Sequence, residues 1–167
     1  MAVHDPLPHI GKGNSVTAAS DWVQRSTDRT YWAWDSDGWE TKSPGWQDVP
    51  GAKVGLTVGG SMSPSYGAVF VVTFSAETLV SSSDHNSVLL LDVLFGGESP
   101  NPVSDNHRFS SAASSAEWSS HTALRIISFE PQFNQKDVTA QVRVSPSDNI
   151  GTAGLQNWAL KIERYNL

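Results

Sequence analysis

The side chains able to do chemistry are few and scattered. Five histidines, His4, His9, His85, His107 and His121, stand far apart. None has H-x-H or H-x-x-x-H spacing, so they read as loop or strand-end residues rather than metal ligands. Asp35-Ser-Asp-Gly-Trp-Glu40 superficially resembles a calcium loop. An EF-hand needs oxygen ligands at further fixed positions, ending in a Glu at the twelfth, and the flanks here are Trp34 and Trp39. A turn accounts for these Asp residues without an ion. Gly11-Lys-Gly13 lacks the spacing of a phosphate loop and no strand leads into it. Asp92 interrupts the apolar run Val88–Phe95, and a lone carboxylate in such a strand is expected to be hydrogen-bonded within a sheet. No Ser-His-Asp arrangement and no pair of glycosidase carboxylates can be assembled. The expectation is a protein that is not an enzyme and has neither metal nor cofactor.

What the sequence does concentrate is aromatic surface. Tyr31, Trp32, Trp34, Trp39 and Trp46 fall within sixteen residues, in a chain with seven Trp and two Met. An indole has a flat apolar face and one N–H donor, which suits packing, a subunit interface or sugar stacking. Two-residue alternation points Trp32 and Trp34 the same way, so that face needs a cover. Core packing of some of these residues, a subunit contact and an exposed platform all remain open at this point.

Composition narrows the partners. The 167 residues carry a formal charge of −6 with Lys and Arg dispersed, which excludes the basic face that nucleic-acid binding requires. The longest apolar runs, Ala68–Phe74 and Val88–Phe95, are too short to span a bilayer, so no membrane is implied. Met1–Gly13 has no apolar core of signal-peptide length, and the expectation is a soluble protein made without such a leader. There is no Cys, so disulfides and thiolate metal sites are ruled out. A chain of this size buries roughly two-thirds of its unfolded surface and holds one core unaided.

The elements that must position these residues read as strands. Lys53–Val58 alternates with Val54, Leu56 and Val58 inward; Val138–Ser145 and Trp158–Tyr165 alternate likewise. Gly67–Ser75 and Ser87–Phe95 are apolar on both faces, as mid-sheet strands are, and His121–Phe129 is mostly so. Turn signals separate them at Gly59-Gly60, Ser63-Pro64, Ser81–Asp84, Gly96-Gly97 and Ser145–Asn149. Thr30–Lys42, with Asp35-Ser-Asp-Gly38 at its centre, predicts an aromatic β-hairpin. Residues 1 to about 20 carry two Pro and two Gly and no hydrophobic period, which predicts an extended arm. The fold class expected is all-β: a jelly-roll sandwich over 46–167, with the arm and Trp-rich hairpin over 1–45.

From Trp46 onward, the runs Trp46-Gln-Asp-Val-Pro-Gly-Ala-Lys-Val-Gly-Leu-Thr-Val58, Ala68–Ser75, Ser120–Ile126 and Leu155–Tyr165 are similar to a known pattern. It resembles the tumour-necrosis-factor/complement-like jelly rolls of tailed-phage capsid decoration, head-fibre and tail-fibre proteins. That resemblance implies a structural protein of the virion surface, assembled in the host cytoplasm. It implies a homotrimer attached to the major capsid protein or another virion protein, with the arm as the expected anchor. A receptor-binding fibre that binds a host-surface glycan is the alternative it implies. The candidate interaction surface is Trp32, Trp34, Trp39 and Trp46, together with Ala159 and Tyr165 on the outward side of the last strand.

If the arm orders only on a partner, proteases will cut within residues 1 to about 20 of the free protein and spare them after assembly. Mass spectrometry of limited digests before and after assembly measures this. Equal protection in both states would mean that the arm packs on its own domain.

Overall fold

The computed structural model describes residues 29–58, 67–82, 86–101, 108–112, 117–130, 134 and 136–166. The expected arm lies outside them. The strands are β1 Arg29–Asp35, β2 Trp39–Thr41, β3 Gln47–Val58, β4 Ala68–Ser81, β5 Val88–Phe95, β6 Arg108–Ser111, β7 Ser119–Phe129, β8 Lys136–Pro146 and β9 Thr152–Asn166. They form two antiparallel sheets. The first runs β1-β9-β4-β7, with β2 also on β9, and the second runs β3-β8-β5-β6. If β1 and β2 count as one strand, each sheet alternates early and late strands. This is the eight-strand, double-Greek-key order of a jelly roll.

The expected aromatic hairpin is not there. β1 and β2 do not pair with each other; both pair with β9, Tyr31 opposite Ile162 and Trp39 opposite Leu155. Asp35-Ser-Asp-Gly38 is therefore a break in one edge strand rather than a reversal. The Asp35 Oδ1 accepts the Asp37 N–H at 2.9 Å, an Asx-type bend that displaces the chain without turning it back. The pairing goes to a strand more than a hundred residues away, which local turn signals cannot encode.

Alternation sets the core. Val54, Leu56 and Val58, then Val138, Ala140, Val142 and Val144, then Trp158, Leu160 and Ile162, are all buried in it. β4 and β5 lie mid-sheet as their two-sided character predicts, although the outward residues of β5 are half-buried rather than sealed. β7 departs from expectation: it alternates, and it leaves Leu124 exposed.

Rings bridge the sheets at two levels. Phe70 and Phe129 of the first sheet meet Phe95 of the second, with centroids 5.8–6.4 Å apart. Phe74 packs 5.8 Å from Phe109 and stacks at 6.3 Å on Trp158. Between the sheets, buried Arg125 donates to the Leu91 carbonyl at 3.1 Å and to its neighbour's, Leu124, at 2.8 Å. β6 pairs with β5 only along Val88–Leu90, so this guanidinium reaches the first carbonyl beyond that ladder. Burial lowers the Arg125 pKa, opposed by the charge of Asp92.

Phe74 is fully buried between rings of both sheets. Phe74→Ala should therefore destabilise the fold by about 3–5 kcal/mol. Urea unfolding followed by Trp fluorescence measures it; a loss under about 1 kcal/mol would mean the cavity collapses freely.

Candidate functional site

The two outer faces of the sandwich differ in kind. On the second sheet several polar side chains bond to one another, although the buried Arg143 Nε has no partner among the described residues. Arg143 donates to Asp92 Oδ2 at 2.9 Å, Ser99 donates to the same oxygen at 2.8 Å, and the Val93 N–H reaches Oδ1 at 2.8 Å. Asp92 is thus hydrogen-bonded within the sheet, as the sequence suggests. The Gln141 amide donates to the Val49 and Ala52 carbonyls at 3.1 and 3.3 Å, bridging the irregularity of β3 at Pro50-Gly51. The Thr57 hydroxyl donates to Asp137 at 3.1 Å.

The outer face of the first sheet is different. Register aligns Trp34 (β1), Ala159 (β9), Ser75 (β4) and Thr122 (β7) in one row. The next row holds Trp32, Lys161, Thr73 and Leu124, and the one after it Thr30, Glu163, Val71 and Ile126. Tyr165 pairs with Val69 beyond these. Of the five large hydrophobic side chains exposed among the described residues, Trp34 (72%), Trp32 (55%), Leu124 (52%) and Trp118 (40%) belong to this face. Only Trp46 (46%) belongs to the other, where Arg143 lies 4.5 Å over its ring.

The candidate residues therefore separate. Trp32, Trp34, Ala159 and Tyr165 come together on the outer face of the first sheet. Trp39 turns inward, half-buried against the core, and Trp46 sits on the opposite side of the molecule. Lys161 pairs with Glu163 at 2.9 Å and places its ammonium 5.6 Å over the Trp32 ring.

Toward the other end of the same face lie residues that sequence reasoning missed. β9 carries one extra residue relative to β4, since Ser75 pairs with Ala159 but Glu77 pairs with Gln156. The bulge puts Asn157 at φ 48°, the left-handed region that Asn tolerates better than most residues. Its amide donates to Glu77 Oε2 at 2.9 Å, and the Gln156 amide donates to the same oxygen at 2.8 Å. A carboxylate only accepts, so both amides must present N–H to it. These bonds, Asn157 first and Gln156 second, hold Glu77 below its ordinary pKa, with burial opposing weakly. Glu77 therefore contributes to stability above the ordinary carboxylate range, and the contribution is lost as pH falls through the lowered folded value.

Below this cluster Trp118 lies across Gly154. A Cβ at Gly154 would stand 2.9 Å from the Trp118 Cη2, with Glu40 Cγ at 3.4 Å and Leu79 Cβ at 3.5 Å. The indole needs that glycine as its seat. A Gly inside a strand is the one signal the sequence offers for it.

No family model matches the chain, and no curated protein matches it. Among solved structures it is similar to dimeric latent PorU from Porphyromonas gingivalis, at 12% identity and a TM-score of 0.47, over 84% of this chain and 13% of that one. It is similar to the CBM36-1 domain of a multidomain xylanase from the hindgut metagenome of Trinervitermes trinervoides, at 12% identity and 0.28, over 80% and 96%. A third is the infectious bursal virus-derived T=1 particle protein, at 10% and 0.24, over 85% and 41%. The chain thus spans about an eighth of the first of these proteins and under half of the third.

Asn157→Gly keeps the positive φ while removing one amide donor. The Glu77 titration midpoint, read by NMR, should then rise toward the ordinary carboxylate value. No movement would mean that the Asn157 bond does not persist in solution.

Proposed function

We propose that this chain is a structural protein of a virion surface, a capsid-decoration jelly roll that assembles as a homotrimer through the outer face of its first sheet. One observation carries the reading: the exposed large hydrophobic side chains gather on that face rather than scatter over the molecule. Surface patches of this kind mark contact sites.

Their arrangement suits a cyclic oligomer. Trp32 stands on the β1 edge of the face and Leu124 on the β7 edge, in one register row. In a ring with three-fold symmetry each copy presents one edge to the other edge of its neighbour, so two different apolar clusters are needed. A two-fold dimer would need only one. Tyr165, half-buried on the strand between, adds to the same contact. The jelly-roll strand order supports the likeness to the virion proteins described above. Attachment to a capsid protein through the arm belongs to this reading.

Leu124→Arg puts a charge into the contact and should lower the light-scattering mass at micromolar concentration to that of one chain, with an unchanged circular dichroism spectrum. A single-chain mass for the unmodified protein would remove the trimer. A trimer that tolerates the substitution would move the contact to another face.

A further inference from the structure

We propose that the other half of this face is a binding site for a neutral oligosaccharide, held between the Trp34 and Trp118 indoles with its hydroxyls on Glu77, Gln156 and Asn157. The site lies below the Trp32–Leu124 row and leaves that row to the neighbouring copy, so it stands independently of the assembly reading.

The spacing fits a short chain of sugar rings. Trp34 lies in the Ser75 row and Trp118 reaches the Leu79 row, four residues along β4. At strand rise this separates the two levels by about 14 Å. Ser75 and Ala159 keep the floor low beside Trp34, and Gly154 keeps it low beneath Trp118. A sugar ring offers an apolar C–H face to an indole and hydroxyls at its rim, so two indoles with polar groups between them match it along its length.

The polar groups are already oriented. Glu77 Oε2 takes both amide N–H groups, while its Oε1 has no partner among the described residues. Gln156 and Asn157 each give one amide N–H to Glu77, which leaves a second N–H and the amide oxygen of each for a ligand's hydroxyls. The Ser75 and Thr122 hydroxyls, 2.9 Å apart, can each donate or accept at the upper end. A ligand rich in hydroxyls meets a carboxylate and two amides that were tied together before it arrived, which limits the ordering cost of binding.

Charge selects among sugars. Glu77 and Glu40 border the site, and Lys161, one row beyond Trp34, is paired with Glu163. Uronic and sialic acids would bring like charge against Glu77. An anionic polymer is disfavoured for the same reason, and no group of three metal-binding side chains occurs among the described residues to recruit a cation. A purely apolar peptide would desolvate Glu77 without satisfying it.

The experiment is a screen of the full chain on an array of neutral and acidic oligosaccharides, followed by Trp-fluorescence titration with the best neutral binder. Trp34→Ala and Trp118→Ala should each weaken binding by roughly tenfold or more, the loss of about one stacking contact. Gly154→Ala should weaken it by moving the Trp118 ring. Trp46→Ala, on the opposite face, should leave it unchanged. Circular dichroism and light scattering on each variant separate loss of the site from loss of fold or assembly, and Leu124→Arg should still bind. No binding to any neutral oligosaccharide, a preference for acidic ones, or binding lost through Trp46 but kept without Trp34 and Trp118 would each overturn the proposal. Should the trimer fail while the sugar binds as described, only the assembly reading falls.

Discussion

The sandwich depends on one irregular strand. β9 pairs with β1, β2 and β4, so three others take their register from it. A regular strand would send Leu155 and Trp158 to opposite faces, because side chains alternate with period two. Both are buried in the core, and the extra residue at Asn157 is what allows it. The same bulge interrupts the edge: three residues of the β1–β2 break stand opposite two of β9, so the edge strand must step aside where its partner does. It also aims the Asn157 amide at Glu77. Core packing, edge geometry and the polar cluster on the outer face are thus consequences of a single insertion, at the cost of a non-glycine residue with positive φ.

A sandwich has one core and two outer faces, and this chain treats those faces unequally. On the second sheet, carboxylate, guanidinium, amide and hydroxyl partners close on each other, and Arg143 covers one side of the exposed Trp46. Such a face has little left to offer a partner beyond what water already provides. The first sheet presents indoles and a Leu on its surface, with a carboxylate whose second oxygen is unused among the described residues. Burying those rings gains hydrophobic free energy that burying the second face would not. The asymmetry alone decides which face to test first.

Much of this was legible in the sequence, and its failures have physical causes. Inward sets at Val54–Val58, Val138–Val144 and Trp158–Ile162 follow from alternation, because one buried face fixes the parity of each regular stretch. Trp32 and Trp34 are placed together for the same reason, and Ala159 and Tyr165 join them because β9 lies next to β1. The hairpin fails because Asp-Ser-Asp-Gly specifies a bend but not whether the strands on either side meet each other or a third strand. Trp39 turns inward, unlike Trp32 and Trp34, because it keeps the odd-numbered inward parity of Tyr31 and Ala33 across the break in the edge. Trp118 and Glu77 go unnoticed because what makes them notable is their neighbours across strands, Gly154 and the two amides, none adjacent in the chain.

The state of Glu77 bears on what kind of site this is. A carboxyl group that works as a general acid near neutral pH needs its pKa raised, by burial or by a second carboxylate. Glu77 has the opposite environment: half-buried on the outer face of the sheet, with two amide donors that favour the ionised form. Over the physiological range it stays charged and can only accept hydrogen bonds. The other grouped carboxylate, Asp92, is tied to Arg143 and Ser99 on the far face. A carboxylate held in its ionised form between two indoles can accept a ligand's hydroxyls, and that is the property on which the proposed sugar site rests.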